Sequence, residues 1–285
     1  MDIIGSTRQT TWGLAAVINF WLGGMSAAAY VLMGAANVLL QGSFHVPANW
    51  RLLILILMTI GFICIALHAG KPSRALFAAY RLRSSWMARE TAAAGIFIAA
   101  VVLSFAFPYL VIVWLTVIGA LFFLLSQSMM PYRSLGIGSW GVTAVPILFT
   151  LSSFSSGAGL VLLAAPRMGP DALYLMRIIG MVGAIFNAAV WIHYVYRSPV
   201  SPPDSLSVLR RWQSQIMVVG GGMLLPVLLL IAGASAAGSP GGASWVWRAC
   251  EVFAGATLSG GAFLQKYLVI TRAGWWRPLR LSEAA

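Results

Sequence analysis

The 285-residue chain is predicted to be an all-α integral membrane protein that crosses the bilayer with eight helices. Its composition is 60% hydrophobic and only 8% charged, and its mean hydropathy is +0.88. A soluble domain carries about 25% charged residues. Apolar runs of the length that crosses a bilayer, roughly 20 residues, recur along the whole chain. Unbroken runs favour helices over a barrel, because a helix satisfies its own backbone in lipid. These observations exclude the soluble classes of protein.

The apolar runs leave no room for a second domain, so we predict one polytopic membrane domain over residues 1–285. The predicted spans lie near residues 12–40, 50–69, 89–108, 109–130, 140–166, 172–196, 214–236 and 245–271. A faint repeat links Phe20-Trp-Leu-Gly-Gly24 in the first span with Phe154-Ser-Ser-Gly-Ala-Gly159 in the fifth. Close helix packing by small residues also explains this repeat. The repeat suggests that the protein consists of two four-helix halves.

The distribution of basic residues predicts the orientation. With eight spans, both termini and the loops after spans two, four and six share one side, which holds fourteen of the 18 lysines and arginines. These are Arg8, Lys71, Arg74, Arg81, Arg83, Arg89, Arg133, Arg197, Arg210, Arg211, Lys266, Arg272, Arg277 and Arg280. The remaining four are Arg51, Arg167, Arg177 and Arg248. The positive-inside rule then puts both termini in the cytoplasm, and we expect a multi-pass protein of the bacterial inner membrane. Contact with lipid headgroups also explains the basic loops.

The segment from His68 to Glu90 is the most informative part of the chain. His68 ends the second apolar run and Glu90 opens the third, so both are expected at the same membrane face. Quinone reduction takes two electrons and two protons, and it needs proton-exchanging groups near a stabilising cation such as Arg74. Two simpler readings remain open. His68 suits a helix C-terminus, and Glu90 suits a helix N-terminus, where it would pair with Arg89 or Arg83.

Other polar residues within the spans are weaker candidates. Asn19 and Asn187 are expected to form interhelical hydrogen bonds. Arg248 and Glu251 are three residues apart, which predicts a local ion pair that Arg177 can join. His68 and His193 form an alternative pair of haem ligands. Cys64 and Cys250 make no Cys cluster, so no metal site is predicted, and any iron–sulfur centre must come from a partner protein.

The motif His68-x-Gly70-x-Pro72-x-Arg74, followed by Glu90, resembles the membrane-anchor subunit of dimethyl sulfoxide reductase and the NrfD-like polysulfide reductase superfamily. Trp140 with Pro146, Glu251 and the run 260–275 add to the resemblance, but the ending after Gly274 departs from it. The resemblance implies that His68 and Glu90 carry the proton chemistry. It further implies that a ubiquinone or menaquinone binds at His68, Gly70, Arg74, Glu90 and Asn19.

The same resemblance implies two soluble partners, a four-cluster iron–sulfur subunit and a molybdopterin catalytic subunit. Lys71, Arg81 and Arg83 are the expected docking residues for these partners. We expect no covalently bound cofactor, no nucleic-acid partner and no activity of the chain on its own. The charge bias favours the cytoplasmic, sulfite-oxidising branch, with an acyl-CoA-oxidising relative second. Electrons would then flow from sulfite to the quinone pool.

Two alternatives belong to other functional classes. An anion transporter would use the basic loops to attract its substrate, and a cytochrome b-type anchor would hold haem between histidines. We further expect the chain to conduct no protons across the membrane, because no series of ionisable residues links Glu90 to Glu251.

Overall fold

The computed structural model describes residues 2–41, 46–68, 81–107, 109–164, 169–200, 202–237, 244–277 and 279–280. The first six long helices are α1 (Leu14–Gln41), α2 (Ala48–His68), α3 (Trp86–Ala106), α4 (Leu110–Tyr132), α5 (Ala144–Leu162) and α6 (Pro170–Arg197). A 3₁₀ turn (Pro203–Leu206) and the short helix α7 (Ser207–Arg210) follow. The next helical run joins α8 (Trp212–Gln215), a π-helical segment (Ile216–Leu224) and α9 (Leu225–Ala237). The last comprises α10 (Ser244–Tyr267) and a second π-helical segment (Leu268–Arg272).

Seven helices within the described ranges are long and apolar enough to cross a membrane, the seventh being Trp212–Ser235. The predicted all-α membrane class is therefore confirmed. α10 has 24 residues, which is also sufficient length, but Arg248, Glu251 and Lys266 make it more polar than the others. An eighth span remains a prediction.

α1 and α5 occupy the centre of the bundle. α1 packs against α2, α4 and α5, and α5 packs against α1, α6 and α10. The two helices meet at Gly157, where an added Cβ would lie 2.8 Å from the Cβ of Ala28. α3 packs on α4, and α9 packs on α10. The two helices that share the faint sequence repeat are thus the central pair, while the division into two halves stays a prediction.

One end of the bundle joins the two ends of the described chain. The strands β1 (Asp2–Ile4) and β2 (Leu279–Arg280) pair antiparallel, Arg8 bridges Trp275, and Ile137 bridges Trp276. The second π-helical segment directs backbone carbonyls to side chains here: Trp140 donates to Val269 at 2.8 Å, and Gln9 donates to Ile270 at 2.9 Å. Because α3 also begins at this end and Glu90 is its fifth residue, we call it the Glu90 end.

Candidate functional site

Glu90 lies inside the bundle, one turn into α3. The hydroxyl of Ser85 caps the helix by accepting from the backbone N–H of Ala88 at 3.3 Å, which fixes the start of α3. The Glu90 side chain is only 3% exposed. Its Oε1 accepts from Asn19 Nδ2 at 3.3 Å and from Gln127 Nε2 at 3.2 Å. Helices α1 and α4 thereby hold the carboxyl group in one place.

The sequence-based pairing of Glu90 with Arg89 or Arg83 is wrong. The Arg89 side chain donates to the backbone carbonyls of Leu82 and Arg83 at 2.8 and 2.9 Å, and its guanidinium lies 4.3 Å above the ring of Trp86. Adjacent residues of a helix point in different directions, so Arg89 stays outside while Glu90 turns inward. Amide groups, rather than an arginine, therefore satisfy the buried carboxyl group.

Asn19 has unused hydrogen-bonding capacity at this site. Its backbone carbonyl accepts from Gln127 Nε2 at 3.3 Å, but its buried Oδ1 has no hydrogen-bond partner among the described residues. Buried polar atoms are nearly always paired, so this oxygen marks a place for a further donor. α2 approaches here: a Cβ on Gly61 would lie 3.4 Å from Asn19.

The structure only partly describes the predicted His68 loop. His68 is the last residue of α2, two helical turns beyond Gly61 along the chain. Its side chain, together with Gly70, Lys71 and Arg74, lies outside the described residues. Arg81 and Arg83 are exposed at the Glu90 end. Their predicted roles in quinone binding and docking remain predictions.

A cavity of about 330 Å³ lies at the Glu90 end of the bundle, and Glu90, Asn19 and Gln127 are not among its lining residues. Trp86 precedes Glu90 by one turn and Met130 follows Gln127 by three residues, so the cavity lies on the outer side of the carboxyl group. Its lining combines aromatic rings, hydroxyls and a guanidinium. The lining residues are Trp12, Ser84, Ser85, Trp86, Met87, Met130, Arg133, Ser134 and Leu135.

A groove of about 900 Å³ between the first π-helical segment and α10 is lined by apolar and small residues and by Thr257, none of them ionisable.

At the other end of the bundle, Arg177 of α6 and Glu251 of α10 form a buried ion pair. The predicted participation of Arg177 is therefore confirmed, whereas the predicted local pair of Arg248 with Glu251 is not observed in the described chain. The guanidinium of Arg248 instead lies 5.1 Å from the ring of Trp247. Glu251 is 0% exposed and points into the bundle. Arg177 can reach it there because it lies on the facing helix α6.

Asn187 and Gln265 pair across α6 and α10 as two reciprocal amide hydrogen bonds of 2.9 and 3.1 Å. The expected interhelical role of Asn187 is therefore observed. His193, further along α6, is exposed on the outside of the bundle. Its position gives no support to a haem held with His68.

Two buried residues of this region were missed in the sequence. Gln127 belongs to an apolar run and was passed over, although a mid-helix amide in lipid needs a partner. Lys266 was counted among the basic residues at the membrane surface, which is wrong. It is 1% exposed, and its Nζ donates to Ser153 Oγ at 3.1 Å. Its place within the predicted span 245–271 was the available signal, since an ionisable residue inside a span is a functional candidate.

The fold and this site define a class: a multi-pass helical membrane protein with a buried, amide-bound carboxyl group at one end. The sequence profile of the DMSO reductase anchor subunit (DmsC) matches residues 10–198. The chain therefore belongs to the DMSO reductase anchor subunit family, which confirms the resemblance seen in the sequence. It is a membrane anchor subunit of a molybdoenzyme complex, and the family implies association with catalytic and iron–sulfur subunits. No curated relative matches the chain.

The matched region contains α1 to α6 and so includes Asn19, Glu90 and Gln127. Lys266 and Glu251 lie beyond it.

Proposed function

We propose that this anchor subunit is quinone-reactive and passes electrons between the iron–sulfur clusters of its partner and the membrane quinone pool. The observation that carries the proposal is the buried, amide-bound carboxyl group of Glu90, at the end of the bundle where a cavity reaches Trp86, one helical turn before Glu90. A carboxyl group there can give a proton to a bound ring or take one from it. His68, at the same end, is the second proposed proton-exchanging group.

The residues around the cavity suit a quinone head group. Trp12 and Trp86 offer flat apolar surfaces, while Ser84, Ser85 and Arg133 offer hydrogen-bond donors to ring oxygens. The unpaired Oδ1 of Asn19 can accept from a quinol hydroxyl. When bound, the quinone accepts two electrons and two protons. The chain's own part is to position the ring, exclude water and exchange the protons.

We propose sulfite as the electron donor of the complex. Support comes from the concentration of basic residues at the Glu90 end, which favours a cytoplasmic site and thus catalytic partners that are not exported. The acyl-CoA-oxidising relative is the second choice of donor on the same argument.

The test is purification of the complex from native membranes in mild detergent, with molybdenum and iron analysis and an assay of sulfite-dependent reduction of decylubiquinone. We expect stoichiometric molybdenum and iron. Glu90→Gln and His68→Ala should lower quinone reduction about a hundredfold, the range of a lost proton-exchanging group. Reduction of ferricyanide by the soluble subunits should be unchanged.

Asp171→Asn is the matched control, because Asp171 is an exposed acidic residue in the first turn of α6. It should reduce quinone at the wild-type rate. Wild-type quinone turnover in both Glu90→Gln and His68→Ala would overturn the proposed site. A chain that purifies without molybdenum or iron would overturn the partner assignment.

A further inference from the structure

The ammonium group of Lys266 lies inside the bundle. Its Nζ donates to the hydroxyl of Ser153 on α5 and lies 6.0 Å from the ring centre of Phe149. The salt bridge found in the described chain joins Arg177 to Glu251, so Lys266 has no counter-ion there. Burying a charge without a partner is costly, and a lysine near a helix end ordinarily extends to the interface. In α10, side chains slant toward the helix N-terminus, which directs this one inward, away from the Glu90 end.

Gly24 of α1 connects the surroundings of Lys266 with those of Glu90. A Cβ built on Gly24 would lie 2.9 Å from Gln127 Oε1 and would collide with Ser153 Oγ. These two oxygens therefore both pack against Gly24, where no side chain would fit. The other end of the Gln127 amide donates to Glu90. Ser153, Gly24 and Gln127 thus form a polar route between the two ionisable groups.

The polar route does not continue to the opposite end of the bundle within the described residues. A Cβ on Gly180 of α6 would meet Leu258 at 3.3 Å, Leu230 at 3.5 Å and Leu162 at 3.6 Å. In α6, Gly180 lies between Asn187 and Arg177, so this leucine layer separates the Asn187–Gln265 pair from the Arg177–Glu251 pair. Lys266 is connected to Glu90 and not across the bundle.

We propose that Lys266 is an internal proton donor and acceptor that reloads Glu90 through Ser153 and the amide of Gln127. The proposal rests on the proposed quinone function. In quinone reduction, the partner's iron–sulfur clusters supply two electrons and Glu90 gives the first proton. Lys266 then protonates Ser153, whose own proton goes to Gln127 Oε1 while Gln127 Nε2 releases one to the Glu90 carboxylate. The amide is restored as the added proton shifts from its oxygen to its nitrogen, and Glu90 passes the second proton on. Quinol oxidation runs the same steps in reverse, and water at the Glu90 end restores both groups.

This assignment accounts for the presence of two buried ionisable groups in a site whose reaction moves two protons. In the proposed function Glu90 exchanges protons with the quinone, and Lys266 is a positioning and supply residue that acts through Glu90. Other charged groups face different partners: Arg177 and Glu251 face each other beyond the leucine layer, and Arg89 lies outside the bundle on Trp86. The serine hydroxyl can both accept and donate. In this structure it donates to the Phe149 carbonyl at 2.8 Å, so it must rotate toward Gln127 to pass a proton on.

The test compares Lys266→Met, Lys266→Arg and Ser153→Ala in the purified complex, with decylubiquinone reduction and its solvent deuterium isotope effect as readouts. Methionine removes the proton, whereas arginine keeps a positive charge that never deprotonates. We expect all three variants to turn over about tenfold more slowly than the wild type. Their solvent isotope effect should rise, because reloading of Glu90 becomes rate-limiting. Binding of decylubiquinone, measured by quenching of intrinsic tryptophan fluorescence, should be unchanged.

Gln265→Leu is the matched control, since it removes a buried polar contact of the same helix one residue away; it should keep the wild-type isotope effect. Wild-type turnover in Lys266→Met overturns the proposal. Full activity in Lys266→Arg also overturns it, because a fixed charge would then suffice. If Glu90→Gln is inactive and Lys266→Met turns over at the wild-type rate, the role of Lys266 is rejected and the proposed quinone site stands. If Glu90→Gln itself turns over at the wild-type rate, the proposed quinone site is rejected. If Lys266→Met or Lys266→Arg fails to assemble, Ser153→Ala, which keeps the charge, decides by the same rate and isotope effect.

Discussion

At the scale of single residues, three buried polar groups of this bundle find their partners on other helices. Glu90 bonds to α1 and α4, Asn187 bonds to Gln265 of α10, and Arg177 pairs with Glu251. An intramembrane polar group finds no water, so the facing helix has to supply its partner. Removing one member of such a pair therefore has consequences for the other.

The Arg177–Glu251 pair allows a direct test of this rule. Glu251→Ala leaves the guanidinium buried without its carboxylate, and we expect a loss of about 3–5 kcal/mol of stability. The double variant Arg177→Met with Glu251→Leu removes both charges and should be closer to the wild type. The measurement is unfolding in detergent, followed by circular dichroism.

Arg248→Ala is the control for that experiment. Arg248 is exposed and lies over Trp247, so its loss should change stability by about 0.5 kcal/mol or less. If Glu251→Ala is no less stable than Arg248→Ala, the buried pair does not stabilise the fold.

The sequence predicted candidate residues better than their partners. Glu90, Asn19, Asn187 and Glu251 were all singled out because a polar residue within an apolar run is conspicuous. The partner of each depends on helix rotation and contact, which the one-dimensional pattern does not contain. That is why the simpler reading of Glu90, a pair with Arg89 or Arg83, fails, and why the sequence names Arg177 for Glu251 only beside Arg248.

At the scale of helices, small residues set how closely the elements approach. Gly159 of α5 and Gly255 of α10 face each other: a Cβ on Gly159 would lie 2.6 Å from the Gly255 carbonyl, and the reverse distance is 2.5 Å. The backbones touch because neither residue has a side chain. Gly222 and Gly261 repeat this arrangement between the first π-helical segment and α10.

We expect Gly255→Ala to destabilise the bundle, because the added methyl group collides with backbone that cannot rotate away. The expected loss is about 1–3 kcal/mol, the usual range for overpacking. Thermal unfolding of the purified complex measures the effect.

Gly95→Ala is the matched control at the helix scale. Gly95 is exposed within α3, and a Cβ there meets nothing within 4 Å. Alanine stabilises a helix interior by about 0.5–1 kcal/mol relative to glycine, so this variant should be as stable as the wild type or slightly more so. An equal melting temperature for Gly255→Ala and Gly95→Ala would contradict the close-packing argument.

The helices themselves were predictable, since each predicted span overlaps an observed helix. Hydropathy and length decide that an apolar run is helical in lipid. The two π-helical segments, Ile216–Leu224 and Leu268–Arg272, were not foreseen. They depend on tertiary contacts: the carbonyls of Val269 and Ile270, in the second segment, accept from Trp140 and Gln9, which lie far away in the sequence.

At the scale of the whole molecule, the distribution of lysines and arginines between the two sides of the membrane is the basis for predicting which end faces the cytoplasm. In the predicted eight-span topology, leaving out the buried residues Lys266 and Arg177 reduces the count to thirteen basic residues on the side of the termini and three on the other. The predicted bias is then stronger than in the full count, because a side chain inside the protein carries no topological information. The Glu90 end is the end at which soluble partners would meet the proposed site.

We accordingly expect the Glu90 end to face the cytoplasm, because basic loops are retained on that side. The measurement is labelling by a membrane-impermeant thiol reagent in a variant whose Cys64 and Cys250 are replaced by serine. Arg211→Cys, at the Glu90 end, should be labelled in inverted vesicles only. Asp171→Cys, at the opposite end, should be labelled in right-side-out vesicles only. The reverse pattern would place the catalytic partners outside the cytoplasm and would remove the argument for sulfite while leaving the proposed quinone site intact.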